Sequence, residues 1–200
     1  MKILVVLAHP NKDSFNHAIA QSAISALKKN SHEIIFHDLY QEKFDPIMPL
    51  EEITAQKYAT KDKIIIKHRE ELKNAEGIII IHPNWWAQPP AILRGWVDRV
   101  FVPDVAYKFG VNDKGEGVPI GLLKAKTALV FNTSNTPQER EVAYFGDPLE
   151  NLWKTCIFDF CGIKTFFRKM FNVIIISKPE ERRKWLEEVE KTVNNFFPLA

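Results

Sequence analysis

The sequence is 200 residues long, 46% hydrophobic and 26% charged, which suits one folded domain and excludes wholesale disorder. Its 27 Lys and Arg stand against 25 Asp and Glu, a net charge of +2 with the basic residues scattered, which excludes a nucleic-acid binder that works through the phosphate backbone. Apolar runs such as residues 78–81 and 173–176 fall far short of the ~20 residues that cross a bilayer, so no membrane insertion is expected. In chain order, residues 3–8 are a continuous apolar run, the pattern of a strand buried on both faces. That run is too short for a signal peptide and lacks a small-residue cleavage site. Asp13 or Ser14 caps the next helix, in which Phe15, Ala18, Ile19, Ser22, Ala23, Ala26 and Leu27 form one small-to-apolar face. Residues 33–38 read as a second strand, 44–50 as a loop, and 51–74 as a charged helical stretch with Ile64, Ile65, His68 and Leu72 on one face. Residues 77–82 read as a third strand, and 90–100 carry Ile92, Leu93, Trp96, Val97 and Val100 at helical spacing. Residues 103–123, with four Gly and two Pro, are a long excursion. A fourth strand spans 127–133, and a helix spans 148–160, stopped by Gly162. Residues 164–177 contain a fifth strand, of which 173–176 is the surest part. Pro179 starts a last helix with Trp185, Leu186, Val189, Val193 and Phe196 on its inner face.

Strict alternation of doubly buried strands with amphipathic helices means one α/β domain over residues 1–200, with a parallel sheet covered by helices on both faces. Right-handed crossovers leave few topologies, and five strands in this length favour the flavodoxin-like order 2-1-3-4-5. Ligands of such sheets bind beyond the carboxyl ends of the strands, at the switch between the first and third. That rule selects three loops: residues 9–16, 82–90 and 133–147.

The first loop, with His9, Ser14, Phe15 and Asn16, enters a helix whose free N–H groups and positive end suit a phosphate. It carries neither a Walker A loop nor a G-x-G-x-x-G fingerprint, and Asp13 or Ser14 as a plain cap is the competing reading. In the second loop, Pro83 and Asn84 precede adjacent Trp85 and Trp86, a flat apolar wall for a planar ligand. At least one of the two indoles is expected to pack on the following helix. The third loop, with Thr133, Ser134 and Asn135, supplies hydroxyl and amide donors after a buried strand, although these are also ordinary turn residues. Together the loops describe a phosphorylated ligand with a planar ring, and flavin mononucleotide fits.

The chain also resembles the NAD(P)H:quinone oxidoreductase family, the flavodoxin-fold flavoenzymes that include DT-diaphorase. The resemblance rests on His9-Pro10 with Ser14-Phe15-Asn16, on Asp38-Leu39-Tyr40 followed by Phe44-Asp45-Pro46, and on Ala106-Tyr107 and Phe160-Cys161-Gly162. Its most specific part is Pro83-Asn84-Trp85-Trp86 running into residues 90–101. The resemblance implies a homodimer with a flavin at each of two sites near the interface. His9, Ser14, Phe15 and Asn16 would hold the phosphate side, Pro83, Asn84, Trp85 and Trp86 the ring, and Thr133, Ser134 and Asn135 its polar edge. Tyr107 would close the partner's pocket, and Tyr144 would hydrogen-bond a quinone oxygen. Two departures stand out. Thr133-Ser134-Asn135 replaces a frequent Thr-Gly-Gly, and Tyr144-Phe145 precedes Gly146-Asp147 where several members carry Tyr and His. A His-assisted proton relay is therefore in doubt.

The expectation is a cytoplasmic enzyme that passes a hydride from NADPH or NADH to a flavin and then to a quinone-like acceptor, donor and acceptor using one pocket in turn. FMN is favoured because one helix N-terminus suits one phosphate; FAD is the alternative, and Phe15 would then flank the adenosine side. Rival readings are a flavodoxin-like electron carrier, which usually needs an acidic surface, and a regulatory subunit with a membrane-transporter partner. No metal site is expected, since the six His show no ligand spacing, and His17, His32, His37 and His68 read as surface or satisfied polar residues. Cys156 and Cys161 read as small buried hydrophobes in a reducing compartment, Arg94 and Asp98 as an i,i+4 pair, and residues 180–191 as a solvated helix face.

Overall fold

The computed structural model describes residues 1–199. Five parallel strands, β1 (Lys2–Leu7), β2 (Glu33–Asp38), β3 (Gly77–Pro83), β6 (Thr127–Ser134) and β7 (Thr165–Asn172), form a sheet in the order β2-β1-β3-β6-β7. Counted within this sheet, that is 2-1-3-4-5, the flavodoxin-like order. Two strands outside it, β4 (Tyr107–Val111) and β5 (Gly117–Gly121), pair antiparallel. The two-residue side-chain period divides the apolar strands between two cores. Leu4, Val6, Ile78 and Ile80 face a core completed by α3 (Lys63–Asn74) and α4 (Ala91–Val100). Ile3, Val5, Leu7, Ile79 and Ile81 face a second, completed by α1 (Phe15–Lys29) and α7 (Pro179–Phe196). β1 and β3 stay paired to their carboxyl ends, and because the connections that follow run to opposite sides of the sheet, their loops diverge at the switch point and leave a crevice.

The structure differs from the expected elements in several places, each with a physical reason. The stretch 51–74 is not one helix: α2 (Leu50–Thr54) and a 3₁₀ turn (Gln56–Tyr58) precede α3, whose start is set by Asp62 accepting from the N–H groups of Ile64 and Ile65. The excursion 103–123 contains the β4–β5 hairpin. Gly121 lets it dock, since a Cβ there would lie 2.2 Å from the Cys161 carbonyl carbon. The helix 148–160 is a single α turn, α6 (Pro148–Asn151), that continues as π-helix through Asp159. A short helix that the sequence pattern did not reveal, α5 (Gln138–Ala143), follows β6.

The run 173–176 is not strand. β7 pairs only with β6 among the described strands, their register ends at Ser134 opposite Asn172, and beyond it the Ile175 N–H turns to the Asn135 side chain at 2.9 Å instead of a strand. Residues 174–176 instead make a 3₁₀ turn with Ile175 and Ile176 exposed. Cys161 is buried as expected, but Cys156 is exposed on the π-helix. Arg94 and Asp98 do pair, at 2.8 Å.

Candidate functional site

The first loop leaves β1 and enters α1 through Ser14, which has extended backbone and a side chain that accepts from the His17 N–H. This leaves the N–H groups of the first turn, Phe15 and Asn16, for an outside acceptor. Asn16 is only 2% exposed. Its Nδ2 donates to Thr133 Oγ1 at 3.0 Å, tying the first loop to the third, while its buried Oδ1 has no partner among the described residues. His9 receives the Asn11 N–H on Nδ1 at 3.1 Å. Burial draws its imidazole below the ordinary range, partly opposed by the Asn11 carbonyl, 3.2 Å from Nδ1, which would accept a proton placed there.

The second loop is held from both sides. The Asn84 N–H donates to the Thr133 carbonyl at 2.6 Å. Buried Glu141, on α5, accepts from Asn84 Nδ2 at 2.8 Å and from Ser134 Oγ at 3.1 Å, so one carboxylate joins the second and third loops. Beneath them His82 is fully buried. Trp153 Nε1–H can only donate, so His82 Nε2 accepts it at 3.0 Å, and the ring proton sits on Nδ1, 2.8 Å from the Pro83 carbonyl it serves. Burial lowers this imidazole to about 4, so it is neutral near pH 7 and fixes the backbone at Pro83.

Residues 85–88 form a tight turn in which Trp85 and Gln88 exchange both backbone hydrogen bonds at 3.0 Å. Trp86 and Ala87, both at positive φ (55° and 59°), occupy its tip, a strained position for residues with a Cβ. Against expectation, neither indole is buried: Trp85 lies against His9, with ring centroids 6.2 Å apart, and the turn leaves Trp86 98% exposed.

The three loops line one cavity of about 390 Å³, which His9, Ser14, Phe15, Asn16, Pro83, Asn84, Trp85, Thr133, Ser134 and Asn135 all reach. A second cavity of about 580 Å³ continues it through Asn84 and Thr136 and is walled by Trp86, Ala87, Arg140, Glu141 and Phe145. Every cofactor-contacting residue expected from the sequence therefore lines one of these two cavities. Phe15 also packs on Phe171 and Trp185, so it divides its surface between core and cavity.

The two tyrosines stand apart. Tyr144 is 81% exposed and lines a shallow depression beside Arg140, while its neighbour Phe145 faces the second cavity. Tyr107 stacks edge-on against Phe160 at 4.9 Å and lines a different groove with Val102 and Cys161.

Three participants escaped the sequence reading. Arg182, read as part of a solvated face, lines the first cavity from α7, held by hydrogen bonds to Ser177 Oγ (2.7 Å) and the Ile174 carbonyl (2.8 Å). Its guanidinium lies 6.0 Å from the Phe15 ring centre. Glu141 sits on the unforeseen α5. His17 bridges Ser14 and Asp38. No local sequence signal marks Arg182 or Glu141; for His17 the position three residues after a cap was the only hint.

A separate cluster of ligand-type side chains lies at the carboxyl end of β2, beside Asp38. His37 and His68 stack at 3.8 Å, and Glu42 bridges His37 Nδ1 (2.8 Å) and His68 Nε2 (3.5 Å). Trp96 Nε1–H donates to His68 Nδ1 at 2.9 Å, so the neutral ring carries its proton on Nε2 and has no lone pair there for a metal. Burial pushes the Glu42 carboxyl up, but hydrogen bonds from both imidazoles outweigh it and bring it to about 2. The cluster is a hydrogen-bonded tie between β2 and α3.

With this geometry in view, comparison with known proteins places the chain. A flavodoxin-like fold family model matches residues 1–193, and the chain belongs to that family. It is 32% identical over 192 residues to a protein of Haemophilus influenzae named an uncharacterized NAD(P)H oxidoreductase, covering 94% of this chain and 91% of that one. It is 29% identical over 217 residues to NAD(P)H dehydrogenase [quinone] 1 of Rattus norvegicus, covering 98% and 77%. The crystal structure of a Streptococcus mutans protein superposes with a TM-score of 0.84 at 34% identity, over 98% of this chain and 100% of that one. The fold is shared as well by an FMN-dependent NADH-azoreductase of Bacillus anthracis in complex with FMN, at a TM-score of 0.75 and 18% identity over 98% of each chain.

Proposed function

We propose that the protein is a flavin-dependent NAD(P)H oxidoreductase that reduces quinone-like acceptors. The observation that carries this reading is the convergence of three strand-end loops on one cavity lined by Asn16 and Asn84, each of which holds a buried Oδ1 with no partner among the described residues. Buried acceptors without a partner are costly unless a ligand supplies the donor, and the N–H and hydroxyl groups of a flavin are such donors. The residues present fit the group: the α1 N-terminus, Ser14 and Arg182 for a phosphate, Asn84, Thr133, Ser134 and Asn135 for polar ring edges, and Trp85 and Trp86 for the ring plane. A bound flavin would supply the hydride and electron chemistry, and the chain positions and shields it.

The chain's own contribution is rigidity and orientation. Glu141 holds Asn84 and Ser134 together, neutral His82 holds the Pro83 carbonyl, and the 85–88 turn keeps Trp86 projecting without a core contact. The second cavity, apolar on its Trp86 and Phe145 sides, suits nicotinamide and planar acceptor in turn, which is the basis of a ping-pong order. FMN is favoured over FAD because a single helix N-terminus and one arginine face the first cavity. Phe15 beside Arg182 is the feature that would serve an adenosine. The active form is a homodimer in which Tyr107 reaches the partner's pocket, and Tyr144 serves the acceptor oxygen. A reducing, cytoplasmic setting is part of this reading and accords with two free cysteines; among the described residues no helix is long and apolar enough to cross a membrane.

The test is direct. The purified protein is expected to be yellow, to release FMN on heating, and to oxidise NADPH or NADH with menadione as acceptor. Release of FAD alone would overturn the choice of flavin. A colourless protein that retains neither flavin on reconstitution would overturn the function.

A further inference from the structure

At the mouth of the first cavity Ser14 Oγ lies 3.0 Å from His17 Nδ1, and His17 Nε2 lies 2.9 Å from Asp38 Oδ2. His17 is half-buried and Asp38 buried, so this is a fixed chain of three groups rather than a surface contact. Its directions follow from which atoms can donate. The Asp38 carboxylate only accepts, so His17 Nε2 carries a proton. The neutral ring then has a lone pair at Nδ1, and the Ser14 hydroxyl must donate to it. In that state the hydroxyl proton is spent inside the chain and the His17 N–H occupies one lone pair, so Ser14 offers the cavity a single lone pair and no donor. When His17 takes a second proton from solvent, Nδ1–H donates to Ser14 Oγ, and the hydroxyl proton is released to donate to whatever anion sits at the α1 N-terminus.

From this we infer that His17, oriented by Asp38, is the positioning residue that sets the hydrogen-bond direction of Ser14 and so couples protonation to binding of a ligand's phosphate. The inference deepens the flavin reading and rests on it. Asn16 supplies independent support for a ligand here, being buried and lining the same cavity with Oδ1 unpartnered. The groups that face His17 are Ser14 from the cap, Asp38 from the end of β2, and His9 from the loop after β1 with ring centroids 6.4 Å away. Arg182 from α7 and Asp13 face the same cavity.

The experiment compares FMN with riboflavin, the same ring without its phosphate. The full chain, freed of flavin, is titrated with each between about pH 5.5 and about pH 8.5, the range over which a histidine changes charge. The ratio of FMN to riboflavin affinity is expected to rise about tenfold from high to low pH, as one added charge-assisted hydrogen bond allows. His17→Gln is expected to flatten that rise, while keeping a helix-compatible side chain at this position. Ionisation of the FMN phosphate is common to both proteins and cancels in the comparison. In the unaltered protein, the His17 ring resonances should titrate about one pH unit higher with FMN than with riboflavin, by the reciprocity of linked binding. Parallel profiles in the two proteins, or a His17 titration that FMN leaves unmoved, would overturn the inference and leave the flavin reading standing. Binding of neither flavin would overturn both.

Discussion

Trp86 sits at the tip of a turn with almost all of its surface in solvent, so its side chain does nothing measurable for the core. A large indole kept there at positive φ is a strained arrangement without a folding purpose. Trp86→Ala should therefore leave the unfolding midpoint in place while weakening flavin retention or slowing turnover. A loss of about 1–3 kcal/mol is expected if a planar ring stacks on it as bases stack on aromatics. Unchanged flavin content and unchanged turnover would remove Trp86 from the site. His82 makes the opposite kind of prediction, about stability rather than ligand. It ionises near 6.5 when unfolded and at about 4 when buried. The unfolded chain thus binds a proton that the folded chain refuses over that window. Stability should be intact above pH 6.5 and fall as the pH drops toward 4, with a slope from this residue of up to about 1.4 kcal/mol per pH unit. Denaturant unfolding at several pH values should show that slope in the unaltered protein and a flatter one in His82→Gln. At this scale the sequence pointed to most of the cavity lining, because a strand-terminal residue in an α/β chain is brought to the ligand edge by topology alone. It was silent on Arg182, whose place depends on where α7 crosses the crevice.

Elements were legible where periodicity has one physical meaning. The doubly apolar runs of β1, β3 and β6 and the stripe of α1 are dictated by burial, and the structure places them within a residue or two of expectation. Expectation failed where an apolar run lacks a neighbour, as at 173–176, and where caps break a helical stretch, as Asp62 does before α3. Gly95 illustrates a constraint that only packing reveals. It lies in α4, where glycine costs helix stability, yet a Cβ there would lie 2.3 Å from the Pro46 carbonyl oxygen. The loop before α2 rests directly on the α4 backbone. Gly95→Ala should consequently destabilise, despite alanine's better helix propensity, by about 1–3 kcal/mol as overpacking does. A raised unfolding midpoint in thermal melts would show that the loop simply moves away.

At the scale of the whole molecule, apolar surface is left uncovered on one side. Phe109 and Val111 on the hairpin, and Ile47, Leu50 and Ile53 around α2, are exposed, and a groove of about 580 Å³ between them is lined by Ile53, Val102, Tyr107 and Phe160. A closed two-fold dimer is the commonest way to cover such a surface. Light scattering at micromolar concentration should give a mass of about twice the single chain, as closed two-fold symmetry requires; a particle of one chain's mass, 23.1 kDa, would exclude it. Phe109→Asp should shift the equilibrium toward that smaller particle.

The sequence by itself determined β1, β3 and β6, the strand order and the three loops at the carboxyl edge, because burial on both faces of these runs and right-handed crossovers leave few other arrangements, whereas the place of the fifth strand was decided by its pairing with β6. What only the tertiary structure decided is how the loops are joined. Asn16 meets Thr133 across 117 positions, Asn84 meets Glu141 across 57, and Arg182 arrives over Phe15 from the last helix. Such contacts depend on distances set by packing between elements, and no spacing along the chain encodes them.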